Sequence, residues 1–109
     1  MENITRGSIY LCSLPDNPGS VEGKERPCII VSNDKANRFS PVVSVIPITS
    51  AKKKYLPVHI ALDYLPKASV CLVEQLTVID KQNIIKYLGQ VTNETLEKIK
   101  TAIKIQFAI

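Results

Sequence analysis

The sequence predicts a small α+β protein in which several short strands form a curved, barrel-like sheet and one terminal helix packs against it. Three observations predict this fold. Short apolar runs alternate with turns through most of the chain, and the C-terminal segment has helical periodicity instead. The chain of 109 residues, 45% of them hydrophobic, can bury one core. We therefore expect a single domain over residues 1–109.

Six segments have the composition of strands, and turns rich in glycine, proline or polar residues separate them. The expected strands are Ser8–Leu14, residues 28–31, Val42–Thr49, residues 58–62, residues 69–76 and residues 88–91. Pro47 lacks a backbone donor, so we expect an edge strand or a bulge there. Arg26 precedes Pro27 and should lie in extended backbone at a strand entrance. Residues 15–25 hold two prolines and two glycines, which predicts a long loop.

The remaining elements are a terminal helix and two polar connections. Thr92 is a good N-cap, and Leu96, Ile99, Ile103 and Phe107 recur at helical spacing, which predicts a helix over residues 93–107. Residues 33–41 form a polar connection that has room for a helical turn, and a turn is expected around residues 63–66.

Composition excludes several classes of protein. The apolar runs are strand-sized, whereas a membrane helix needs about 20 apolar residues, and the N-terminus lacks the pattern of a secretory signal. We therefore expect a cytoplasmic protein that does not bind membranes. Fourteen Lys and Arg against ten Asp and Glu give a net charge of +4, which permits a phosphate-bearing partner without indicating one. The three widely spaced cysteines are expected to be reduced core residues.

The sequence lacks the standard catalytic signatures, including a P-loop, a GxSxG motif and an HExxH motif. Its single histidine, His59, excludes a nuclease that uses a histidine pair. His59 lies between Val58 and Ile60 in an expected strand, so we interpret it as a hydrogen-bonded structural residue and leave it out of the catalytic set.

Seven short motifs nevertheless resemble one known family, in its order and at compatible spacing. They are Arg6-Gly7-Ser8-Ile9-Tyr10, residues 19–27, Ser32-Asn33-Asp34, Asn37-Arg38-Phe39-Ser40-Pro41, Ile48-Thr49-Ser50, Leu56-Pro57-Val58-His59, and Val73-Glu74-Gln75-Leu76 with Ile79-Asp80-Lys81. From Arg6 to the terminal helix the chain resembles the MazF/PemK ribonuclease toxins of type II toxin–antitoxin systems. The resemblance implies an SH3-like barrel of the CcdB/MazF type, a homodimer, and RNA cleavage without metal or other cofactor.

The family's catalytic arginine and threonine correspond to Arg26 and Thr49. In metal-free RNA cleavage the 2′-hydroxyl attacks the adjacent phosphate, so the site must align the attack and stabilise charge on the phosphoryl oxygens. The planar guanidinium suits this charge, and a threonine hydroxyl can hydrogen-bond the same phosphate. An arginine is a poor general base at neutral pH, so the group that accepts the 2′ proton stays open. Without the resemblance, Arg26 would be interpreted as an ion-pair partner of Glu22 or Glu25.

The resemblance also implies which side chains line the RNA groove and which partners bind. The expected substrate-binding residues are Ser20, Val21, Glu22, Ser50, Leu56, Pro57, Glu74 and Gln75. Lys52, Lys53 and Lys54 either attract RNA or form an ordinary solvated turn. The expected partners are single-stranded RNA and a MazE-like antitoxin, with operator DNA contacted only through the antitoxin complex. The motifs do not predict the cleavage sequence.

Two other functions remain open from the sequence. A CcdB-like toxin would poison DNA gyrase by protein contact and would not be an enzyme. A non-catalytic nucleic-acid-binding barrel would use Arg26 to contact phosphate without cleaving it. Arg26 and Thr49 favour the nuclease, and assay of RNA cleavage separates the three.

Overall fold

The computed structural model describes residues 4–15, 19, 23–50, 56–62, 65 and 67–109. Within these ranges the chain forms seven strands and two helices, and two 3-10 turns, Val73–Gln75 and Lys81–Asn83, flank β6. The elements are β1 (Ser8–Leu14), β2 (Lys24–Ile30), α1 (Asp34–Phe39), β3 (Val42–Thr49), β4 (His59–Leu62), β5 (Ser69–Leu72), β6 (Thr77–Asp80), β7 (Ile84–Gln90) and α2 (Asn93–Phe107).

All paired strands are antiparallel and follow the order β4-β5-β3-β2-β1-β7. β6 lies outside this order and pairs with the first half of β3. The α+β class with a C-terminal helix is therefore confirmed. Among the described residues, β4 and β7 are the end strands of the sheet, so the barrel-like sheet is open between them.

Alternating side chains of the sheet form a core on each face. On one face Ile29, Ile46, Ile48 and Ile60 pack with Ile99 and Ala102 of α2. The opposite face carries a second core, which contains Tyr10, Cys12, Leu14, Cys28, Ile30, Val43, Val45, Ile79 and Ile84. Arg26 belongs to this second face by strand alternation, because it lies two residues before Cys28 on β2.

The expectation that Pro47 marks an edge or a bulge is wrong, since β3 is a central strand. The Val31 amide donates to the Ser44 carbonyl at 2.9 Å, so the backbones of Val45 and Pro47 face away from β2. On that side β6 pairs with β3 as far as Val45, and β5 begins to pair at Ile48. The Pro47 nitrogen, which carries no hydrogen, therefore faces the gap between β5 and β6, where no ladder hydrogen bond is lost.

Four other segments differ from the sequence expectation. β2 begins at Lys24, inside the expected loop. The expected strand over residues 69–76 ends at Leu72, because the Leu76 amide donates to the Val73 carbonyl and closes a 3-10 turn. β6 was not expected, and β7 begins four residues before the expected position, at Ile84. The expected turn at 63–66 lies mostly outside the described residues.

Both helices begin at capped residues. The Thr92 side chain accepts from the Thr95 amide at 3.1 Å, and the α2 bounds agree with the sequence expectation. Asn33 caps α1 in the same way through the Ala36 amide. In the described ranges, neither helix is long and apolar enough to cross a membrane.

Candidate active site

Arg26 is the third residue of β2 and its side chain is exposed. Its Nε donates to the carbonyl of Gly23 at 3.3 Å, a contact that holds the guanidinium near the end of the 15–23 connection. On the β1 side, Arg26 lies opposite the fully buried Cys12. A rigid strand therefore carries the exposed guanidinium.

The strand register connects Arg26 with Thr49. The β2–β3 ladder pairs Ile29 with Ile46 and Cys28 with Pro47. The ladder ends at this pair, and Arg26 and Thr49 each lie two residues beyond it on their strands. Alternation along each strand puts Arg26 on the face of Cys28 and Thr49 on the face of Pro47, so both side chains belong to the same end of the same sheet face.

Thr49 is the last residue of β3 and is only 2% exposed. On the side away from β2 it pairs with Val70, which in turn pairs with Ala61 of β4. Its position is therefore fixed by its pairing with β5. Ser50, which follows Thr49, is exposed at the end of the strand.

A second group of expected substrate-binding residues surrounds the start of β4. Leu56 and Pro57 are exposed, and a turn closed by the His59 amide donating to the Leu56 carbonyl leads into the strand. Glu74 and Gln75 lie in the 3-10 turn after β5 and are half-buried.

His59 contacts Glu74 in this group. Its Nε2 lies 2.7 Å from Glu74 Oε2, and its side chain is only 8% exposed. The expected hydrogen bond of His59 is confirmed. No sequence pattern indicated its partner, which lies 15 residues away and on a different element.

The two groups lie on the same face of the sheet. Thr49, Val70 and Ala61 are directly opposed across β3, β5 and β4, and His59 is two residues from Ala61 along β4. Two strand spacings and two residue steps separate Thr49 from His59, which amounts to about 12 Å.

Several expected residues fall outside the described ranges. They are Ser20, Val21 and Glu22 of the first loop and the three lysines Lys52, Lys53 and Lys54.

The buried thiols of Cys12 and Cys28 are neighbours of Arg26 in the sheet. Cys28 Sγ donates to the Arg26 carbonyl at 3.5 Å. A hydrogen bond between the two side chains lowers the pKa of Cys12, against the effect of burial, and raises the pKa of Cys28. At neutral pH a raised pKa keeps the Cys28 thiol protonated. All three cysteines are free and buried, which confirms the expected reduced core residues.

A groove of about 570 Å³ runs between β4 and α2. Pro57, His59 and Ala61 line one side, and residues of α2 from Glu94 to Ile105 line the other. His59 therefore lines the groove at the edge of the sheet and also belongs to the face that carries Thr49.

Comparison with known proteins confirms the resemblance seen in the sequence. Residues 5–107 match the model of a family described as PemK-like, MazF-like toxin of type II toxin-antitoxin system. The chain is 34% identical over 111 residues to endoribonuclease EndoA of Bacillus subtilis (strain 168), with 97% of this chain and 96% of the relative covered.

Solved structures share the fold. An endoribonuclease in complex with its cognate antitoxin, from mycobacterial species, is 26% identical with a TM-score of 0.82, and the match covers 97% of this chain and 96% of that one. MazF from Deinococcus radiodurans has a TM-score of 0.87 over 100% of both chains at 18% identity, which is a similarity of fold.

Proposed function

Because the chain belongs to the PemK-like, MazF-like family of type II toxin–antitoxin toxins, we propose that it cuts single-stranded RNA as a metal-independent, sequence-specific endoribonuclease. The observation that carries this proposal is the β2–β3 ladder, beyond whose end an exposed arginine and a buried threonine each lie two residues away on the same face of the sheet. The 34% identical relative is itself named an endoribonuclease. The match over residues 5–107 also supports one toxin domain for the whole chain.

Arg26 and Thr49 act on the phosphate that is cleaved. The 2′-oxygen attacks phosphorus and loses its proton, while the bond from phosphorus to the 5′-oxygen breaks and that oxygen gains a proton. Arg26 stabilises the negative charge on the phosphoryl oxygens, and the Thr49 hydroxyl hydrogen-bonds the same phosphate and fixes its orientation. The products are a 2′,3′-cyclic phosphate and a 5′-hydroxyl.

The remaining expected residues contact bases on either side of the cut. Ser50 lies next to the reacting phosphate, while Leu56, Pro57, Glu74 and Gln75 contact nucleotides farther along the strand. Exposed apolar and polar side chains of this kind suit single-stranded RNA, whose unstacked bases can be bound individually. Ser20, Val21 and Glu22 stay predictions for the first loop.

The proposed partners are a cognate antitoxin and a second copy of the chain. The mycobacterial relative was solved with its cognate antitoxin, which supports an inhibitor of the same kind here. The last turn of α2 and the residues after it expose the apolar side chains of Ile105, Phe107 and Ile109, the last of them 79% exposed, and this exposure favours a contact between two copies. We place this toxin in the cytoplasm with its RNA substrate.

Incubation of the purified protein with a long RNA in EDTA tests the proposal. Cleavage that persists in EDTA and leaves cyclic phosphate and 5′-hydroxyl ends is expected. Products with a 5′-phosphate, or complete loss of cutting in EDTA, would show that the internal attack is wrong. Inhibition of DNA gyrase without RNA cleavage would support the CcdB-like alternative, and RNA binding without products would support a non-catalytic barrel.

A further inference from the structure

Among the described residues, only one of the two oxygens of the Glu74 carboxylate has a hydrogen-bond partner. Oε2 contacts His59 Nε2 at 2.7 Å, whereas Oε1 is buried and has no hydrogen-bond partner among the described residues. Such an oxygen is unfavourable because it has lost contact with water without gaining a donor. A group of this kind is expected where a ligand supplies the missing donor.

The position of the pair relative to Thr49 indicates which ligand group can supply that donor. His59 shares a face of the sheet with Thr49, at a distance of about 12 Å. Side chains stand roughly perpendicular to a sheet, so this lateral separation is far beyond the roughly 3 Å that proton transfer at the reacting phosphate requires. A separation of about 12 Å suits contact with a base that lies a few nucleotides from the cut.

Because one oxygen of the Glu74 carboxylate already has a partner, hydrogen-bond chemistry favours some bases over others. An ionised carboxylate accepts hydrogen bonds and donates none. Adenine and cytosine present an exocyclic amino group, whereas guanine and uracil present a carbonyl oxygen at the corresponding position. Guanine offers its N1–H and its amino group side by side to both oxygens of a carboxylate, and this arrangement is disfavoured here because Oε2 is already turned toward His59.

We propose that Glu74 reads adenine or cytosine through its exocyclic amino group, and that His59 is a positioning residue that holds the carboxylate for this contact. The inference rests on the proposed ribonuclease function and deepens it. Oε1 is screened from water in the free protein, so RNA must move a neighbouring side chain to reach it. The amino group then supplies the donor that Oε1 lacks within the described part of the chain.

Cleavage of a randomised RNA pool by a Glu74→Gln variant is the first test. The glutamine keeps the shape of the side chain, but its amide can donate to a carbonyl oxygen. We expect wild type to prefer adenine or cytosine over guanine or uracil at one position near the cut, and Glu74→Gln to reduce that preference at least tenfold. The control is Glu94→Gln on α2, whose side chain is 80% exposed and pairs with Lys98. It should leave the preference unchanged.

Two substitutions of His59 test its positioning role. His59→Gln keeps an N–H donor for Glu74 and should retain the base preference, whereas His59→Leu removes the donor and should lose it. Affinity for a non-cleavable RNA that carries the preferred base should fall in His59→Leu and recover in His59→Gln. If His59 served only the fold, cutting of all sequences would fall by one common factor.

Three results separate the possible failures. An unchanged preference in Glu74→Gln, or an equal loss on every sequence, overturns the inference while the ribonuclease function stands. The same holds if wild type cuts RNA without preferring adenine or cytosine near the cut. A wild-type protein that cuts no RNA overturns the proposed function itself. Circular dichroism checks that each variant folds, and Glu74→Gln decides the question if His59→Leu does not fold.

Discussion

Replacement of Arg26 by alanine should abolish most RNA cleavage while the fold stays intact. Arg26 is exposed and its hydrogen bond to Gly23 lies at the surface, so the change in unfolding free energy should be that of an ordinary surface substitution, within about 0.5 kcal/mol. Loss of one charged contact to the transition state costs about 3 kcal/mol of barrier lowering. At 1.36 kcal/mol for each factor of ten, cleavage should slow by roughly 150-fold.

The assay compares single-turnover cleavage of one RNA by wild type, Arg26→Ala and Arg26→Lys, with thermal unfolding of each. Lysine keeps the charge but lacks the planar fork, so it should restore little activity. Arg38→Ala is the matched control, because Arg38 is an exposed arginine on α1, beyond the opposite end of β3 from Thr49. Cleavage by Arg26→Ala or Arg26→Lys at the wild-type rate would refute the catalytic assignment.

Three further predictions concern other parts of the molecule. Thr49→Val, which keeps the side-chain shape without the hydroxyl, should slow cleavage at least tenfold while Thr49→Ser keeps most of it; equal rates in the two variants would remove the hydroxyl from the mechanism. Burial raises the pKa of Cys71 from 9.0 to about 12, so the proton it retains stabilises the folded state below pH 9 and this contribution is lost as pH rises toward 12. Between pH 9 and pH 12 the unfolding free energy of wild type should therefore fall by up to about 4 kcal/mol more than that of Cys71→Ala. Parallel curves for the two proteins would contradict the assignment. A folding-on-binding antitoxin segment should compete with RNA, and the free toxin should sediment as a dimer; a monomer at micromolar concentration, or an antitoxin complex with full RNA affinity, would contradict these expectations.

Much of the candidate site could be predicted from the sequence because its residues lie in recognisable motifs. The family resemblance assigns the catalytic roles to Arg26, beside Pro27, and to Thr49, at the end of an apolar strand. The sequence could not predict that one ladder aligns the two strands, because their segments are separated by α1 and two connections. The sequence could not predict the contact between His59 and Glu74 either. Its pattern predicts a strand at Glu74, whereas the structure has a 3-10 turn there.

The sequence by itself determined the elements whose hydrogen bonds are local. The bounds of α2 follow from the Thr92 cap and the helical spacing of apolar residues, both of which depend on neighbours within about four positions. The bounds of β1 and β3 also agree with expectation, because apolar runs ended by turn residues mark them.

Only the tertiary structure decided how the strands are arranged. The Pro47 side chain lies in a central strand because β5 and β6 meet β3 on either side of its missing donor. The Glu74 carboxylate lies against His59 because β4 and β5 pair in one particular register. Strand order and register are set by contacts between residues that are distant in the chain, and the local pattern that defines each strand does not specify its partner.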